Sequence, residues 1–272
     1  MSQQCNHDCG SCKKDCSERS LLAPLNKNST VKKVIGVVSG KGGVGKSSIT
    51  SLLAVLKQRE GYKVGVLDAD ITGPSIARVF GVEGQQLYQS NGEIIPAKSY
   101  YETKIMSTNL LLTSPEDPVL WRGPILAGMV KQFWSDVRWE EVDYMFVDMP
   151  PGTGDVALTV MQSIPLNGIV MVSVPQDMIS MIVAKAVKMA KMLNVNVLGV
   201  VENMSYIQCP DCDKKIKLFD GEETEKFLQD MDLQLLGELP MTKEIVNITH
   251  KGVNEVSEDL DNILENIVEK IK

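Results

Sequence analysis

The segment Gly40–Ser47 limits the possible folds of this chain more than any other part of its sequence. It reads Gly-Lys-Gly-Gly-Val-Gly-Lys-Ser and fits the pattern G-x-x-x-x-G-K-[ST] at every fixed position. The apolar run Val34–Val38 comes before it, and the helical pattern Lys46–Arg59 starts inside it. A buried strand, a glycine-rich turn and a helix in this order are typical of a phosphate-binding loop, so the sequence predicts a nucleotide site here.

Each residue type in this loop has a chemical reason. The glycines allow backbone N–H groups to turn inward around a phosphate, and we expect Lys46 to neutralise the β- and γ-phosphates of ATP. We expect the Ser47 hydroxyl to bind Mg²⁺, while the start of the helix adds its positive end. The predicted nucleotide contacts in this loop are Gly40, Lys41, Gly42, Gly43, Val44, Gly45, Lys46, Ser47 and Ser48.

From Val31 onward, short β-branched runs alternate with helical patterns. This alternation predicts an α/β domain of the P-loop NTPase class, with a mostly parallel sheet and helices on both faces. The predicted strands are apolar on both faces, as buried parallel strands are: Val34–Val38, Lys63–Leu67, Tyr144–Val147, Ile169–Val174 and Val197–Val201. The predicted helices are Lys46–Arg59, Ile125–Trp134 and Met181–Leu193.

The remaining segments divide into a tail, an irregular stretch and a last helix. Residues 1–30 are polar, carry cysteines and lack apolar periodicity, so we expect a flexible tail before a domain that spans residues 31–272. The stretch 82–112 contains Gly84 and Gly92 and is predicted to be a surface excursion or a hairpin. Residues 260–271 are predicted to form an amphipathic helix that packs on the core, because its polar side is largely acidic.

Charge and hydropathy exclude several kinds of partner. The formal net charge is −7, whereas nucleic-acid-binding proteins gain affinity from a basic face that neutralises phosphates. No uninterrupted apolar run approaches the ~18 residues of a membrane-spanning helix, and the polar start of the chain does not resemble a secretory signal. We therefore expect a cytoplasmic protein that binds neither nucleic acid nor membrane.

Three acidic residues follow predicted strands and belong beside the phosphates. The apolar strand Tyr144–Val147 ends in Asp148, the Walker B pattern, and we expect this carboxylate to hold the Mg²⁺ shell through water. Asp68 and Asp70 end the second strand, where one can orient the attacking water and the other can brace Mg²⁺ or Lys46. The alternative for this pair is helix N-capping. The loop 150–155 follows Asp148 and is predicted to move with the γ-phosphate as a switch.

Lys41 is not needed to bind phosphate within one subunit. The arrangement Lys-Gly-Gly-x-Gly-Lys-Ser resembles the deviant Walker A loop of the class that contains MinD, ParA and the nitrogenase iron protein. This resemblance implies that Lys41 reaches the nucleotide of a partner subunit across a face-to-face dimer, where it would counter charge on the departing γ-phosphate. The alternative is an exposed lysine without such a role.

Several separated motifs then resemble the Mrp/ApbC family of iron–sulfur cluster carrier ATPases, over nearly the whole chain after Val31. The matching segments, in order, are Asp68-Ala69-Asp70-Ile71-Thr72-Gly73-Pro74-Ser75, Trp121-Arg122-Gly123-Pro124, Asp148-Met149-Pro150-Pro151-Gly152-Thr153-Gly154-Asp155 and Glu202-Asn203-Met204-Ser205. The resemblance implies that Asn203 recognises adenine, a task to which its amide is suited, and that Asp70 is the switch I carboxylate.

The six cysteines fall into two tight groups, which in a reducing compartment indicates metal ligation rather than disulfides. Cys209 and Cys212 supply two thiolates, whereas zinc sites and [4Fe–4S] clusters generally want four ligands. A symmetric homodimer supplies four, and the family resemblance implies a bridging [4Fe–4S] cluster here. A zinc half-site across the dimer and a redox dithiol stay open as alternatives.

The second group lies in the tail and comprises Cys5, Cys9, Cys12 and Cys16. Four thiolates in one segment are enough for a second cluster, with zinc as the competing metal. His7 lies among them and is interpreted as a bystander.

The sequence therefore leads to one hypothesis and two rivals. The hypothesis is an ATP-hydrolysing carrier whose homodimer holds a [4Fe–4S] cluster and passes it to apo iron–sulfur proteins. One rival is a MinD/ParA-type positioning ATPase with structural zinc, which should show a basic face or a basic amphipathic helix. The other is an ATP-driven reductase of the nitrogenase type, although that class draws its cluster cysteines from two separate loops.

Overall fold

The architecture is described from a computed structural model, which covers residues 21–112, 123–178, 181–209, 211–212, 214–219, 221–253 and 258–271. The strands are β1 Thr30–Ser39, β2 Val64–Asp68, β3 Tyr88–Ser90, β4 Glu93–Ile95, β5 Ala97–Lys98, β6 Lys104–Met106, β7 Glu141–Asp148, β8 Gly168–Ser173, β9 Val197–Gln208, β10 Lys215–Ile216 and β11 Leu235–Pro240. The helices are α1 Lys46–Arg59, α2 Ile76–Val79, α3 Gly123–Ser135, α4 Asp155–Ser163, α5 Pro175–Met178, α6 Met181–Met192, α7 Gly221–Asp230, α8 Lys243–Lys251 and α9 Glu258–Lys270.

The main sheet is mostly parallel and has β1 near its centre. From one edge its order is β5, β6, β2, β7, β1, β8 and β9, and both β10 and β11 pair with β9. Within this sheet, as far as the structure describes it, only the short edge strands β5 and β10 run antiparallel to their neighbours. The predicted α/β class with a mostly parallel sheet is thereby confirmed. The irregular stretch contains the antiparallel hairpin β3–β4, which turns at Asn91 and Gly92, both with positive φ.

Both faces of the sheet are buried, because successive side chains of the central strands point to opposite sides. In β7, Phe146 packs against the layer that includes α1 and α9, whereas Val147 packs against the layer that includes α3, α4 and α6. The central strands therefore carry apolar residues at nearly every position, which is why their sequences predict buried parallel strands.

Two boundaries illustrate where local patterns succeed and fail. Helix α1 has the predicted bounds, because the loop fixes its start and Gly61 follows its last turn. Strand β9 was predicted to end at Val201, yet it continues to Gln208. The polar residues Glu202 and Asn203 interrupt the apolar pattern, but both side chains are buried inside the fold.

The segment before β1 departs from the predicted tail of residues 1–30. The Ala23 N–H donates to the Ser163 carbonyl at 2.8 Å, and the Trp134 indole donates to the Ala23 carbonyl at 3.2 Å. Asn26 is 7% exposed and donates to Glu93 at 3.0 Å. These contacts join the stretch to partners far along the chain, whereas the sequence predicted a flexible tail up to residue 30. Residues 1–20 lie outside the described residues.

Helix α9 closes one face of the core, as the sequence predicts. Leu264 and Ile267 are fully buried among side chains that include those of α1, and Arg59 of α1 pairs with Asp261 at 2.8 Å. Across the described ranges, no helix is both long and apolar enough to cross a membrane.

The α9 contact leads to a stability prediction. We expect Leu264→Ala to lower the free energy of unfolding by about 2–5 kcal/mol, because it removes buried methyl groups and leaves a cavity. Urea unfolding followed by circular dichroism measures this change. The matched control is Glu265→Ala, on the exposed side of the same helix, for which we expect a change within about 0.5 kcal/mol. Equal effects of the two substitutions would contradict the packing of α9 described here.

Candidate nucleotide and metal site

The nucleotide-binding residues meet at the carboxyl ends of the central strands. Strands β1, β2 and β7 are parallel neighbours, so the loop after β1 lies beside the ends of the other two. Asp68 at the end of β2 pairs in register with Asp148 at the end of β7. Ligands of open α/β sheets bind at this edge, and the acidic residues predicted from three separate segments are brought together there.

The loop itself has the backbone that its glycines predict. Gly43 and Gly45 have φ values of 82° and 83°, in the left-handed region that favours glycine. A Cβ atom at Gly45 would lie 2.3 Å from the Asn203 amide nitrogen, so this position has no room for a side chain. The loop encloses a cavity of 220 Å³, and its lining includes Gly42, Gly43, Gly45, Lys46, Ser47 and Ser48. Gly40 and Val44 of the same loop are buried, and Lys41 is exposed.

Lys46 is the central cation of the site. Its side chain is 6% exposed, and its Nζ lies 2.8 Å from Asp148 and 3.5 Å from Asp70. Burial lowers the pKa of Lys46, but the charges of Asp148, Asp70 and Asp68 outweigh burial and raise the pKa overall. The predicted bracing of Lys46 by an acidic residue of the second strand is therefore present, and Asp70 provides it.

Asp148 uses both of its carboxylate oxygens. Oδ2 accepts a hydrogen bond from the Ser47 hydroxyl at 2.6 Å and faces Lys46, and Oδ1 accepts from the Thr50 hydroxyl at 2.7 Å. A hydroxyl and a carboxylate are hard oxygen donors of the kind that Mg²⁺ takes together with waters and substrate phosphates. The described residues contain no group of three or more His, Cys, Asp or Glu that could hold a metal ion without other ligands. The donor set therefore fits Mg²⁺.

Asp68 lies deeper than Asp70. It is fully buried, and its carboxylate accepts from the Ser107 hydroxyl at 2.9 Å and from the backbone N–H groups of Asp70 and Ile76 at 3.2 and 3.4 Å. The Ile76 contact lies at the start of α2, so the alternative N-capping role is present in part. Burial and the charge of Asp148 raise the pKa of Asp68 to about 8, although Lys46 opposes the shift. Burial also raises the pKa of Asp70.

Asn203 links β9 to the phosphate-binding loop. Its Nδ2 donates to the Val44 carbonyl at 2.9 Å, while its Oδ1 is buried and has no hydrogen-bond partner among the described residues. An unpaired buried acceptor costs free energy, so this amide fits a ligand that donates a hydrogen bond, such as the amino group of adenine. The next residue, Met204, has a φ of 56°, and β9 bulges there against β11.

The loop after Asp148 contacts the end of β1, where the phosphate-binding loop begins. The Gly152 N–H donates to the Ser39 carbonyl at 2.8 Å, and Pro151 lines the same cavity as Lys46. The segment predicted to be a switch therefore borders the cavity that the phosphate-binding loop lines. Trp121 and Arg122 of a neighbouring motif lie outside the described residues.

Cys209 comes directly after β9, and Cys212 follows on the turn that leads to β10. The Cys209 N–H donates to the Lys214 carbonyl at 3.1 Å, and both cysteines are free thiols. Hydrogen bonds from the backbone of Asp211 and from the Cys212 thiol and backbone lower the pKa of Cys209, which favours the metal-binding thiolate. Cys5, Cys9, Cys12, Cys16 and His7 lie outside the described residues, so the tail site stays a prediction.

Large exposed apolar side chains surround this cysteine hairpin. They are Ile207, Ile216, Leu218, Phe219 and Met241. A larger cavity, of 710 Å³, lies at the opposite edge of the sheet and is lined by Thr30, Val64 and Glu141 at the amino ends of their strands. Its lysines Lys63, Lys98 and Lys104 pair with glutamates, whereas the smaller cavity is the one that the phosphate-binding loop lines.

Thr50 and Ser107 complete the acidic cluster and were not predicted. Thr50 follows Ser47 by three positions on α1, a spacing that places both hydroxyls on one helix face. That spacing was the available signal for Thr50. Ser107 lies after β6, where no motif marks it, and only the pairing of β2 with β6 brings it to Asp68.

The raised pKa of Asp68 leads to a prediction about pH. Because the folded protein favours the neutral acid, the contribution of Asp68 to the unfolding free energy of the nucleotide-free protein should fall as pH rises from about 4 towards about 8. Asp68→Asn removes this ionisation, so we expect its stability relative to wild type to increase steadily from pH 5 to pH 8. Thermal unfolding at four pH values measures the difference. Asp230→Asn, an exposed control, should follow wild type throughout. A constant offset between Asp68→Asn and wild type would refute the assignment.

Two solved structures share this architecture. The nucleotide-binding protein of Archaeoglobus fulgidus in complex with ADP matches with a TM-score of 0.71 at 38% identity, covering 86% of this chain and 88% of that one. The cell division ATPase MinD of Pyrococcus furiosus matches with a TM-score of 0.60 at 19% identity, covering 88% of this chain and 98% of that one. At this identity the second match shows the fold alone.

The sequence has a curated relative that it matches over most of its length. The iron-sulfur cluster carrier protein of Clostridium perfringens (strain 13 / Type A) is 48% identical over 257 residues, covering 91% of this chain and 90% of that protein. The family model described as ParA, the NUBPL iron-transfer P-loop NTPases, matches residues 30–272. The predicted class and family resemblance are confirmed, and the chain belongs to the ParA/NUBPL family of iron-transfer P-loop NTPases.

Proposed function

We propose that this protein binds and hydrolyses Mg²⁺·ATP and carries a [4Fe–4S] cluster that it delivers to apo iron–sulfur proteins in the cytoplasm. The observation that carries this proposal is strand β9. One strand bears Asn203 against the phosphate-binding loop and leads directly into Cys209 of the cysteine pair. Curated relatives named as cluster carriers support the same assignment.

In the nucleotide half of the proposal, each residue has one task. Lys46 would neutralise the β- and γ-phosphates, and Ser47 and Asp148 would hold Mg²⁺, which would lower the charge barrier to attack on the γ-phosphate. Asp70 lies 3.5 Å from Lys46 Nζ and lines the same cavity. In this proposal it orients the attacking water. The Asp68 carboxylate accepts a hydrogen bond from the Asp70 N–H and thereby fixes the backbone of this acidic segment.

Lys41 acts across a homodimer in this proposal. Its side chain is exposed at the mouth of the loop, while Lys46 already occupies the charged centre within the subunit. In a homodimer this second lysine would stabilise charge on the phosphoryl group transferred in the partner subunit.

In the metal half, the cluster is cargo shared by two subunits. Cys209 and Cys212 supply two thiolates per chain, and two copies related by a two-fold axis supply the four that a [4Fe–4S] cluster takes. The hydrogen bonds to Cys209 favour its thiolate, and the exposed apolar side chains around the hairpin are suited to burial against a second copy.

The two halves communicate through the bulge in β9. Met204 occupies the left-handed region, which costs of order 1–3 kcal/mol for a residue with a side chain. The Ser205 hydroxyl bonds to the Glu202 carboxylate at 2.5 Å across this bulge. A shift of Asn203 on nucleotide binding therefore reaches Cys209 through one stretch of backbone, and it changes how the cysteines present the cluster.

The tail cysteines Cys5, Cys9, Cys12 and Cys16 form a second cluster site in this proposal. Four soft thiolates in one segment support it, with zinc as the competing occupant.

Metal content tests the carrier proposal. After anaerobic reconstitution, we expect Cys209→Ser/Cys212→Ser to lose about two irons and two sulfides per chain, because a four-iron cluster is shared by two subunits. A chain lacking residues 1–20 should lose a separate set of irons. Cluster transfer to an apo-ferredoxin should stop in the double variant and continue with the shortened chain.

Three results would contradict the proposal in different ways. Zinc without sulfide on the cysteine pair would indicate a switch ATPase with structural metal. Unchanged iron in the double variant would remove the bridging site. ATP-dependent reduction of a low-potential acceptor without cluster transfer would indicate a reductase.

Hydrolysis tests the role of Lys41. We expect Lys41→Ala to lower kcat for ATP by at least ~10³-fold, the lower end of the effect of an arginine finger, with little change in the affinity for ADP. Phosphate release and a fluorescent ADP titration measure the two quantities. Lys226→Ala, an exposed lysine on α7, should leave both unchanged. An equal loss of ADP affinity and kcat would indicate that Lys41 acts within its own subunit.

A further inference from the structure

Thr50 is a buried hydroxyl that neither the loop motif nor the proposed roles assign. It lies on α1 one turn after the phosphate-binding lysine and is fully buried. Its Oγ1 lies 2.7 Å from Asp148 Oδ1 and 3.0 Å from the Lys46 carbonyl oxygen. Both neighbours are acceptors, whereas a hydroxyl carries a single proton.

The carboxylate is the stronger of the two acceptors. A hydrogen bond to an ionised group is shorter and roughly twice as strong as one to a neutral carbonyl, and the Asp148 distance is the shorter one. Contact with the carbonyl four residues earlier is the usual geometry of a threonine inside a helix. The Thr50 proton is therefore donated to Asp148 Oδ1.

This bond fixes how Asp148 presents its other oxygen. With Oδ1 held by Thr50, Oδ2 faces the Ser47 hydroxyl at 2.6 Å and Lys46 Nζ at 2.8 Å. All three contacts come from the first five residues of α1, and Asp148 has no exposed surface at which water can substitute. Loss of the Thr50 hydroxyl takes a donor from a buried carboxylate oxygen, which then rotates to find another partner.

We propose that Thr50 is a positioning residue for magnesium, which aims Asp148 Oδ2 at the place where the metal meets Ser47. The inference rests on the proposed Mg²⁺-dependent nucleotide site and adds to it the residue that orients the acidic ligand. Outer partners of this kind set the direction and basicity of a metal ligand, and their loss typically lowers metal affinity roughly 10–100-fold.

Two substitutions of Thr50 separate the effect of its hydroxyl group from the effect of its shape. Thr50→Val keeps the shape and removes the hydroxyl, whereas Thr50→Ser keeps the hydroxyl and removes a methyl group. Ser51→Ala is the matched control, because Ser51 is the next residue of α1, is buried, and bonds only to the Ser47 backbone carbonyl, at 2.8 Å, among the contacts described.

The experiment titrates Mg²⁺ into each protein with bound fluorescent ADP, and repeats the ADP titration in EDTA. For Thr50→Val we expect the Mg²⁺ concentration at half-saturation to rise roughly 10–100-fold, with metal-free ADP affinity unchanged within about twofold. Thr50→Ser should restore the wild-type Mg²⁺ value, and Ser51→Ala should retain it. The Mg²⁺ dependence of ATP hydrolysis should shift in parallel.

Several outcomes would overturn the inference. An unchanged Mg²⁺ requirement in Thr50→Val, an equal shift in Ser51→Ala, or failure of Thr50→Ser to restore the value would each assign Thr50 a structural role. If Thr50→Val does not fold, as judged by circular dichroism, Thr50→Ala gives the same comparison without the branched side chain. If wild type shows no Mg²⁺ dependence at all, the proposed function itself fails, which distinguishes that result from the failure of Thr50 alone.

Discussion

Lys46 and Asp148 form an ion pair at 2.8 Å in a position that water barely reaches. Removing both charges from water is costly, and the cost is offset only where geometry and further hydrogen bonds are good. Ser47 and Thr50 provide those bonds to the carboxylate, so a single turn of α1 fixes the end of β7. The pair thereby joins the phosphate-binding loop, its helix and the central sheet into one unit.

This pair also explains the crowding of acidic residues. Asp68 and Asp148 are neighbours in register on parallel strands, which forces two carboxylates together wherever both strands end in aspartate. Burial raises the pKa of Asp68, and the charge of Asp148 raises it further, because one lysine cannot compensate all of this charge. Crowding of buried carboxylates lowers the stability of the fold, which is expected where binding matters more than stability.

The sequence predicted the parts of the molecule that depend on local patterns. The loop follows from its motif, and the central strands follow from apolar residues on both faces. The longer β9 and the docked segment around Ala23 and Asn26 were missed, because their polar side chains find buried partners that are distant in the chain. Ser107 was missed for the same reason, because its buried partner Asp68 is distant in the chain. A local pattern contains no information about such partners until the topology is known.

The central position of β1 has a consequence for how the chain folds. Thr30 pairs with Glu141, and Ile35 with Gly168, partners more than 100 positions later in the sequence. The chain loses conformational entropy when loops of this length close, before the strand contacts stabilise it. Pairing between such distant strands is therefore slow. During synthesis the phosphate-binding loop emerges early, together with β1, before either neighbouring strand has been made. Strand β1 can pair on both sides only after β7 and β8 are complete. Substitutions that weaken β7 or β8 therefore reduce the yield of folded protein, even where the finished nucleotide site is unaltered.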